Sequence, residues 1–189
     1  MLMEMEQKLD KVLAALQETA APVIVIDGMC GSGKSTLARA LSEQLGAPEI
    51  HMDDFFLPFD LRTRQRLQEK GGNIHYERFE AEVLPFVGKQ ETFSYRKFHC
   101  SDGSFSPLVC GEGKVRIVEG SYSLHPRFRT AWQRMGALTV FLSILEAEQL
   151  RRLEQRNPDL MENFRTRWIP MENEYFAACQ VPENAALRL

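Results

Sequence analysis

The sequence predicts an α/β fold in which a doubly wound parallel sheet of about five strands is flanked by helices. Short apolar runs rich in Val and Ile, at residues 23–27, 114–118 and 137–142, are typical of strands buried on both faces. Segments with helical periodicity separate these runs, and strands that alternate with helices favour a parallel sheet. The 189 residues, 44% of them hydrophobic, suffice for one domain over residues 1–189.

The N-terminal part is predicted to contain a helix, a strand, a second helix and a second strand. Apolar residues recur every three or four positions within residues 1–20, which indicates an amphipathic helix packed against the body. The first apolar run is followed by a helix at residues 34–45, which Gly46 ends. Residues 49–52 form a short strand that ends at Asp53.

Residues 55–110 interrupt the alternation and are predicted to form a small flap. Residues 57–72 mix Pro, Arg and Gly, which indicates a mobile excursion. A helix at residues 78–87 follows, then an exposed strand at residues 92–98 and a turn around Asp102.

The C-terminal part returns to strands and helices. Its predicted helices cover residues 127–134, 146–156 and 160–179. We expect a kink at Pro170, which cannot donate a backbone hydrogen bond. Residues 146–160 form a candidate lid, and the tail at residues 185–189 either adds a strand or frays.

The first strand runs directly into a loop at residues 28–36 that fits the pattern G-x-x-x-x-G-K-[S/T]. Such a loop cradles nucleotide phosphates with backbone N–H groups at a helix N-terminus. Lys34 is expected to reach the β- and γ-phosphates, and the Ser35 hydroxyl to bind Mg²⁺. The alternative is an ordinary Gly-rich turn with a capping Ser. The predicted nucleotide-binding residues in this loop are Gly28, Cys30, Gly31, Ser32, Gly33, Lys34, Ser35 and Thr36.

Acidic residues follow predicted strands at the same edge of the sheet. Phosphoryl transfer requires Mg²⁺ and a carboxylate that accepts the proton of the attacking hydroxyl. Asp53 suits the role of the base, whereas a helix cap is the alternative for Asp53 or Asp54. Glu119 suits a metal-linked role, partly through water, and Asp27 is expected to stabilise the phosphate loop.

Three arginines, Arg151, Arg152 and Arg156, lie on the candidate lid helix and at its end. Arginines on a closing lid can neutralise charge that develops on the transferred phosphoryl group. The alternative is a solvated charged face on which they pair with Glu148 and Glu154.

Aromatic residues and histidines between Asp53 and the strand at residues 114–118 are candidates for an acceptor pocket. Aromatic side chains can line a site for a flat or ring-shaped alcohol, although a place in the core is the commoner role for them. The candidate acceptor-binding residues are Asp53, Phe56, His75, Tyr76, Tyr95 and His99.

Composition narrows the classes of partner. A net charge of −3 argues against a nucleic-acid binder, and no apolar stretch reaches membrane-spanning length. The four cysteines show no metal-type spacing, which favours a reduced, cytoplasmic setting. The expected partner is a small-molecule alcohol, and self-association into a homo-oligomer stays open.

These motifs together resemble the uridine kinase and phosphoribulokinase group of P-loop kinases, which includes nicotinamide riboside kinase and bacterial pantothenate kinase. The matching stretches are the phosphate loop, His51-Met52-Asp53-Asp54-Phe55-Phe56, Val118-Glu119-Gly120, residues 150–156 and residues 168–176. The resemblance implies an enzyme that uses ATP and Mg²⁺ to phosphorylate a primary hydroxyl. It implies that Asp53 is the base, Glu119 the metal-linked carboxylate, and Arg151, Arg152 and Arg156 the phosphate-stabilising arginines.

The sequence departs from uridine kinases in the acceptor region. His75 stands where those enzymes carry a ribose-contacting Asp, and residues 95–99 replace their Tyr-Asp segment. These departures argue against uridine itself as the acceptor and leave the reaction class unchanged. The expected acceptor is a nucleoside or a nucleoside-like alcohol. Nicotinamide riboside, pantothenate or a sugar are alternatives, as is a nucleotide-dependent switch without an acceptor.

Overall fold

The computed structural model describes residues 2–189, so Met1, which the predicted first helix includes, lies outside the described residues. Its main sheet has five parallel strands in the order β2-β5-β1-β6-β7. The strands of this sheet are β1 (Val23–Gly28), β2 (Glu49–His51), β5 (Arg116–Glu119), β6 (Leu138–Leu142) and β7 (Leu187–Arg188). The predicted α/β class and the strand number are confirmed.

Helices cover both faces of the sheet. Alternate residues of β1 face opposite sides, and both sides are buried, with Val23 and Val25 in one cluster and Ile24 and Ile26 in another. The helices are α1 (Leu2–Thr19), α2 (Lys34–Leu45), α3 (Arg64–Gln68), α4 (Tyr76–Glu82), α5 (Pro126–Met135), α6 (Glu146–Arg156), α7 (Met161–Asn163), α8 (Ile169–Cys179) and α9 (Val181–Asn184). Two buried layers around a parallel sheet are the doubly wound arrangement that the sequence predicts.

A second, antiparallel sheet lies between β2 and β5 in the chain. It consists of β3 (Phe93–Phe98) and β4 (Phe105–Cys110), and it confirms the predicted strand and the turn after it. β4 was not predicted, because Pro107 within it weakens the sequence pattern of a strand. The predicted excursion at residues 57–72 contains α3, and the helix predicted to reach residue 87 ends at Glu82.

The last long helix is interrupted just before Pro170. A π-helical turn, Phe164–Trp168, joins α7 to α8. Pro170 lacks the N–H that a continuous α-helix would use at this point, and an interruption of this kind is a common response. The tail forms β7 beside β6, so the strand is the right one of the two alternatives left open for residues 185–189. Within residues 2–189, no helix has the length and apolar character needed to cross a membrane.

Parallel register brings the ends of three strands together. Ile26 of β1 and His51 of β2 both lie opposite Glu119 of β5. Gly28, at the end of β1, lies opposite Leu142 of β6. The chain therefore enters the phosphate loop at the carboxyl edge of the sheet, where α/β proteins bind ligands.

Candidate active site

The phosphate loop connects β1 to α2 and needs glycine at its start. Gly28 has a φ of 146°, and a Cβ there would lie 2.2 Å from the carbonyl oxygen of Leu142. Any larger residue would push β1 and β6 apart. The Lys34 ammonium folds back over the loop and donates to the carbonyl oxygens of Gly28 at 2.7 Å and Met29 at 3.1 Å. This geometry holds a positive charge at the N-terminus of α2, where anions bind.

Asp27 supports the loop from beneath. It is fully buried, and its carboxylate accepts hydrogen bonds from the backbone N–H groups of Gly28, Tyr122 and Leu124 and from the hydroxyl of Tyr175. Burial raises the pKa of Asp27 to about 6, whereas the four donors favour its charged form. The expectation that Asp27 stabilises the loop agrees with this arrangement.

Glu172 of α8 holds the phosphate loop by hydrogen bonds, a role that was not predicted from the sequence. One of its oxygens accepts from the backbone N–H of Cys30 at 2.8 Å, and the other accepts from the Ser121 hydroxyl at 2.6 Å. Gln149 of α6 donates to the carbonyl oxygen of Cys30 at 2.9 Å. Residues 168–176 already carried part of the family resemblance, but spacing alone does not indicate which of their side chains turns inward.

The Cys30 thiol is held in its neutral form. Burial, with a further contribution from Glu172, raises the pKa of Cys30 to about 12. The thiolate is the reactive form of cysteine, so this residue is chemically quiet within the loop.

Glu119 connects the phosphate loop to the second strand. One oxygen accepts from the Ser35 hydroxyl at 3.1 Å, and the other lies 2.7 Å from Nδ1 of His51. The hydrogen bond to Glu119 raises the pKa of His51. A serine hydroxyl beside a carboxylate provides the hard oxygen ligands that Mg²⁺ prefers. Among the described residues no group of three His, Cys, Asp or Glu side chains is placed to hold a metal ion.

Asp53 follows β2 and faces the same cavity as Lys34, Ser35 and Glu119. The Asp53 side chain is exposed to the cavity, yet desolvation by the surrounding protein raises the pKa of Asp53, and the nearby charge of Glu119 raises it further. Its neighbour Asp54 is buried instead, within 3.1 Å of both the Tyr95 hydroxyl and the Lys97 ammonium. The two adjacent carboxylates therefore differ, because Asp53 is free to meet a ligand while Asp54 attaches β3 to the site.

The cavity has a volume of about 910 Å³ and extends from the phosphate loop to the antiparallel sheet. Apolar and aromatic side chains, together called the apolar wall below, line part of the cavity, and four arginines also line it. The apolar wall includes Phe56, Phe59, Leu67, Phe164, Trp168 and Met171, and the arginines are Arg62, Arg152, Arg156 and Arg167. Arg62 and Arg167 were not predicted, since no motif singles them out. A cavity of this size is large enough for a nucleotide or for another small molecule.

Most of the predicted site residues share this cavity. Gly28 and Ser32 shape the loop without lining the cavity wall. Arg152 lines it and donates to the Gly31 carbonyl oxygen at 3.3 Å and to Glu148 at 2.7 Å. The predicted residues that line the wall are Cys30, Gly31, Gly33, Lys34, Ser35, Thr36, Asp53, Phe56, Glu119, Arg152 and Arg156.

Arg151 requires a correction. Its guanidinium lies on the exposed face of α6, where it bonds the Glu148 carboxylate at 2.7 Å and the Gln155 side chain at 3.1 Å. For this arginine the alternative of a solvated charged face is the right one, because helix geometry turns Arg151 away from its neighbour Arg152.

Two predicted acceptor contacts, Tyr76 and Tyr95, belong to the core and not to the cavity wall. The Tyr76 ring stacks on His125, and its hydroxyl donates to the Lys70 carbonyl oxygen at 3.0 Å. The Tyr95 ring stacks on Phe55 while its hydroxyl bonds Asp54. Both tyrosines are almost fully buried, which is the commoner fate of aromatic residues.

Two predicted histidine contacts also lie off the cavity wall. Nδ1 of His75 accepts from the backbone N–H of Arg78 at 3.3 Å and so caps α4. Nε2 of His99 lies 2.8 Å from the Ser106 hydroxyl across the antiparallel sheet. Local hydrogen bonds therefore explain the positions of both imidazole rings.

Comparison with known proteins supports the fold. No protein-family model matches the chain. A tRNA dimethylallyltransferase from Schizosaccharomyces pombe is 27% identical over 101 residues, and a bifunctional pantoate ligase/cytidylate kinase from Gloeobacter violaceus is 29% identical over 127 residues. The matches take in 52% and 65% of this chain but only 22% and 24% of those proteins.

Solved structures match over nearly the full length. A possible uridine kinase from Bacillus stearothermophilus superposes with a TM-score of 0.71 at 16% identity, covering 98% of this chain and 99% of that one. A candidate P-loop-containing kinase with a circular permutation, from Saccharomyces cerevisiae, gives 0.67 at 13% identity with 98% and 99% covered. The fold is therefore that of the P-loop kinases, and the resemblance to uridine kinase-like proteins is confirmed at the level of the fold.

Proposed function

We propose that the protein is an ATP-dependent small-molecule kinase that phosphorylates a primary hydroxyl of a nucleoside or nucleoside-like alcohol. One observation carries the proposal: Asp53 and Glu119 line the same cavity as Lys34 and Ser35 of the phosphate loop. A nucleotide-binding loop alone would serve a switch equally well. A recessed carboxylate beside it, with an apolar wall for a second molecule, is what phosphoryl transfer to an alcohol requires.

The phosphate-loop side of the cavity would hold the triphosphate. Backbone N–H groups of the loop and the Lys34 ammonium face the phosphates, and Lys34 exchanges its present carbonyl partners for phosphate oxygens. Ser35 and Glu119 would hold Mg²⁺, which supplies positive charge to the β- and γ-phosphates when bound.

Asp53 would act as the general base. It accepts the proton of the acceptor hydroxyl as the oxygen forms its bond to the γ-phosphorus, and the bond from that phosphorus to the bridging oxygen breaks to release ADP. Its raised pKa brings the carboxylate closer to the pKa range useful for proton transfer at neutral pH. Arg152 and Arg156, which line the cavity from the lid helix α6, offset the charge that develops on the transferred group.

The apolar wall supports a ring-bearing acceptor. Phe56, Phe59 and Trp168 can cover a flat ring. Asn73 lines the same cavity, and its side-chain amide oxygen Oδ1 is buried without a hydrogen-bond partner among the described residues. An unpaired buried oxygen is costly unless a ligand donates to it. Nucleosides and nicotinamide riboside combine a ring with donors in this way, and pantothenate and sugars remain the other candidates.

A panel of alcohols incubated with labelled ATP and Mg²⁺ tests the proposal. We expect one class of ring-bearing alcohol to become phosphorylated, and its KM to rise when Phe56 is replaced by Ala while the KM for ATP stays constant. Slow ATP hydrolysis that no alcohol stimulates would contradict the proposal and favour a nucleotide-dependent switch.

A further inference from the structure

The N-terminal helix reaches the nucleotide side of the cavity although it lies outside the strand–helix alternation. Glu4, Met5 and Lys8, from its first two turns, line the same cavity as the phosphate loop. No motif in the sequence assigns these side chains a role, and the family resemblance begins only at β1.

The helix is firmly attached to the body of the protein. Val12 and Leu16 of α1 are buried in the cluster that contains Leu37 and Leu41 of α2 and Val140 of β6. Burial of large aliphatic side chains stabilises such a contact. The first turns of α1 therefore stay at the cavity because of packing further along the helix.

The first turn contacts both the phosphate loop and the lid. The Met5 methyl group lies 3.0 Å from the place that a Cβ on Gly33 would occupy. The Glu4 carboxylate lies 3.1 Å from the Lys8 ammonium and 3.9 Å from the Arg152 guanidinium. Lys8 is mostly covered, with 12% of its side chain exposed. A thioether and two charged groups thus border the space between loop and lid.

Sheet order indicates which part of a nucleotide would meet these residues. Asp53 comes after β2 and Glu119 ends β5, and both strands lie on the same side of β1. A γ-phosphate held near these two carboxylates would therefore lie on that side of β1. Besides its contact with α2, α1 packs against β6, which lies on the other side of β1. A nucleotide laid along the loop with its γ-phosphate at Asp53 therefore places its nucleoside toward α1.

We propose that the first two turns of α1 form a wall of the nucleoside half of the nucleotide site, an inference that rests on the nucleotide-binding part of the proposed function. Met5 packs against the base or ribose, since a flexible thioether adapts to a flat ring. Lys8 and Glu4 present a donor and an acceptor at the edge of the nucleoside. The motif residues bind phosphates shared by all nucleotides, so these side chains would determine which base is preferred.

Binding of ADP and of inorganic tripolyphosphate, compared by titration calorimetry, tests the inference. We expect Met5→Ala and Lys8→Met each to raise the Kd for ADP about fivefold, which corresponds to about 1 kcal/mol. The Kd for tripolyphosphate, which has no base, should stay within about twofold of wild type. Lys11→Met, on the exposed face of the same helix, is the matched control and should change neither Kd. Thermal melting of each variant verifies that α1 remains packed.

Several outcomes would overturn the inference. If the variants bound ADP and tripolyphosphate equally more weakly, the substitutions would act on the phosphate loop. If Met5→Ala bound tripolyphosphate more tightly, Met5 would obstruct the phosphate site. Unchanged ADP binding in both variants would remove α1 from the site. Failure of the proposed function would look different. In that case the protein would bind ADP with this dependence on α1 but would phosphorylate no alcohol.

Discussion

Asp27 is the residue on which the conformation of the phosphate loop depends most. Each of its carboxylate oxygens accepts two hydrogen bonds inside the core. An asparagine has the same shape, but its NH₂ group would face donors instead of acceptors. Buried donors that lose their acceptor cost about 1–3 kcal/mol each.

Asp27→Asn should therefore lower the free energy of unfolding by about 3 kcal/mol, measured by urea denaturation at pH 7.5. Asp10→Asn, on the exposed face of α1, is the matched control and should change the free energy by less than about 0.5 kcal/mol. Equal stability of the two variants would contradict the role given to Asp27.

The raised pKa of Asp53 predicts the acid limb of the rate profile. Proton transfer requires the charged carboxylate, so kcat/KM should fall tenfold per pH unit below the pKa of Asp53 in the free enzyme. Desolvation and the charge of Glu119 set that pKa above the ordinary value of 3.8. A profile of kcat/KM that remains flat down to pH 4 would show that Asp53 does not titrate as proposed.

At the residue scale, sequence reasoning succeeded where a motif fixes the backbone. The phosphate loop, Asp53 and Glu119 were all placed at one edge, because parallel strands end at the same edge of a sheet. Side chains whose direction depends on tertiary packing were not predictable. Glu172 reaches the loop from α8, and Tyr95 turns inward to Asp54, through contacts distant in sequence.

At the element scale, α8 acts as a support for the phosphate loop through Glu172. Burial and the Glu172 carboxylate together raise the pKa of Cys30. The reactivity of this thiol therefore measures the contact between α8 and the loop. Iodoacetamide at pH 7.5 should label the exposed Cys100 at least roughly tenfold faster than Cys30, because the thiolate is the reacting form.

Glu172→Ala should accelerate labelling of Cys30 relative to Cys100, followed by peptide mass spectrometry. The substitution removes a negative charge next to the thiol and frees the backbone of Cys30. If Cys30 reacts as fast as Cys100 in the wild-type protein, α8 does not hold the loop as described.

The elements themselves were largely predictable, and the exceptions have physical causes. β1, α2 and α6 follow directly from apolar runs and helical periodicity. β4 was not predicted because it contains Pro107. The last helix was predicted with a kink at Pro170 but without its π-turn. β7 exists because β6 offers it an open edge, which the tail sequence does not reveal.

At the scale of the whole molecule, charge is distributed unevenly. The chain has a net charge of −3, yet six basic and four acidic side chains line the cavity. This positive excess comes from α1, the phosphate loop and α2, Arg62, α6 and the π-turn before α8. A cleft of this kind attracts anionic ligands even in an acidic protein. In the proposed function, this one cavity would hold both the phosphates and the acceptor, and Asp53 lines it.

The most direct test of the account is phosphoryl transfer by Asp53→Asn, with the acceptor identified by the panel, together with the Kd for ADP. We predict that kcat falls by about 10²–10⁴ while the Kd for ADP changes less than about twofold. Asp60→Asn, exposed in the same segment, should keep full activity. Near-normal kcat in Asp53→Asn would contradict the central claim that this carboxylate is the base.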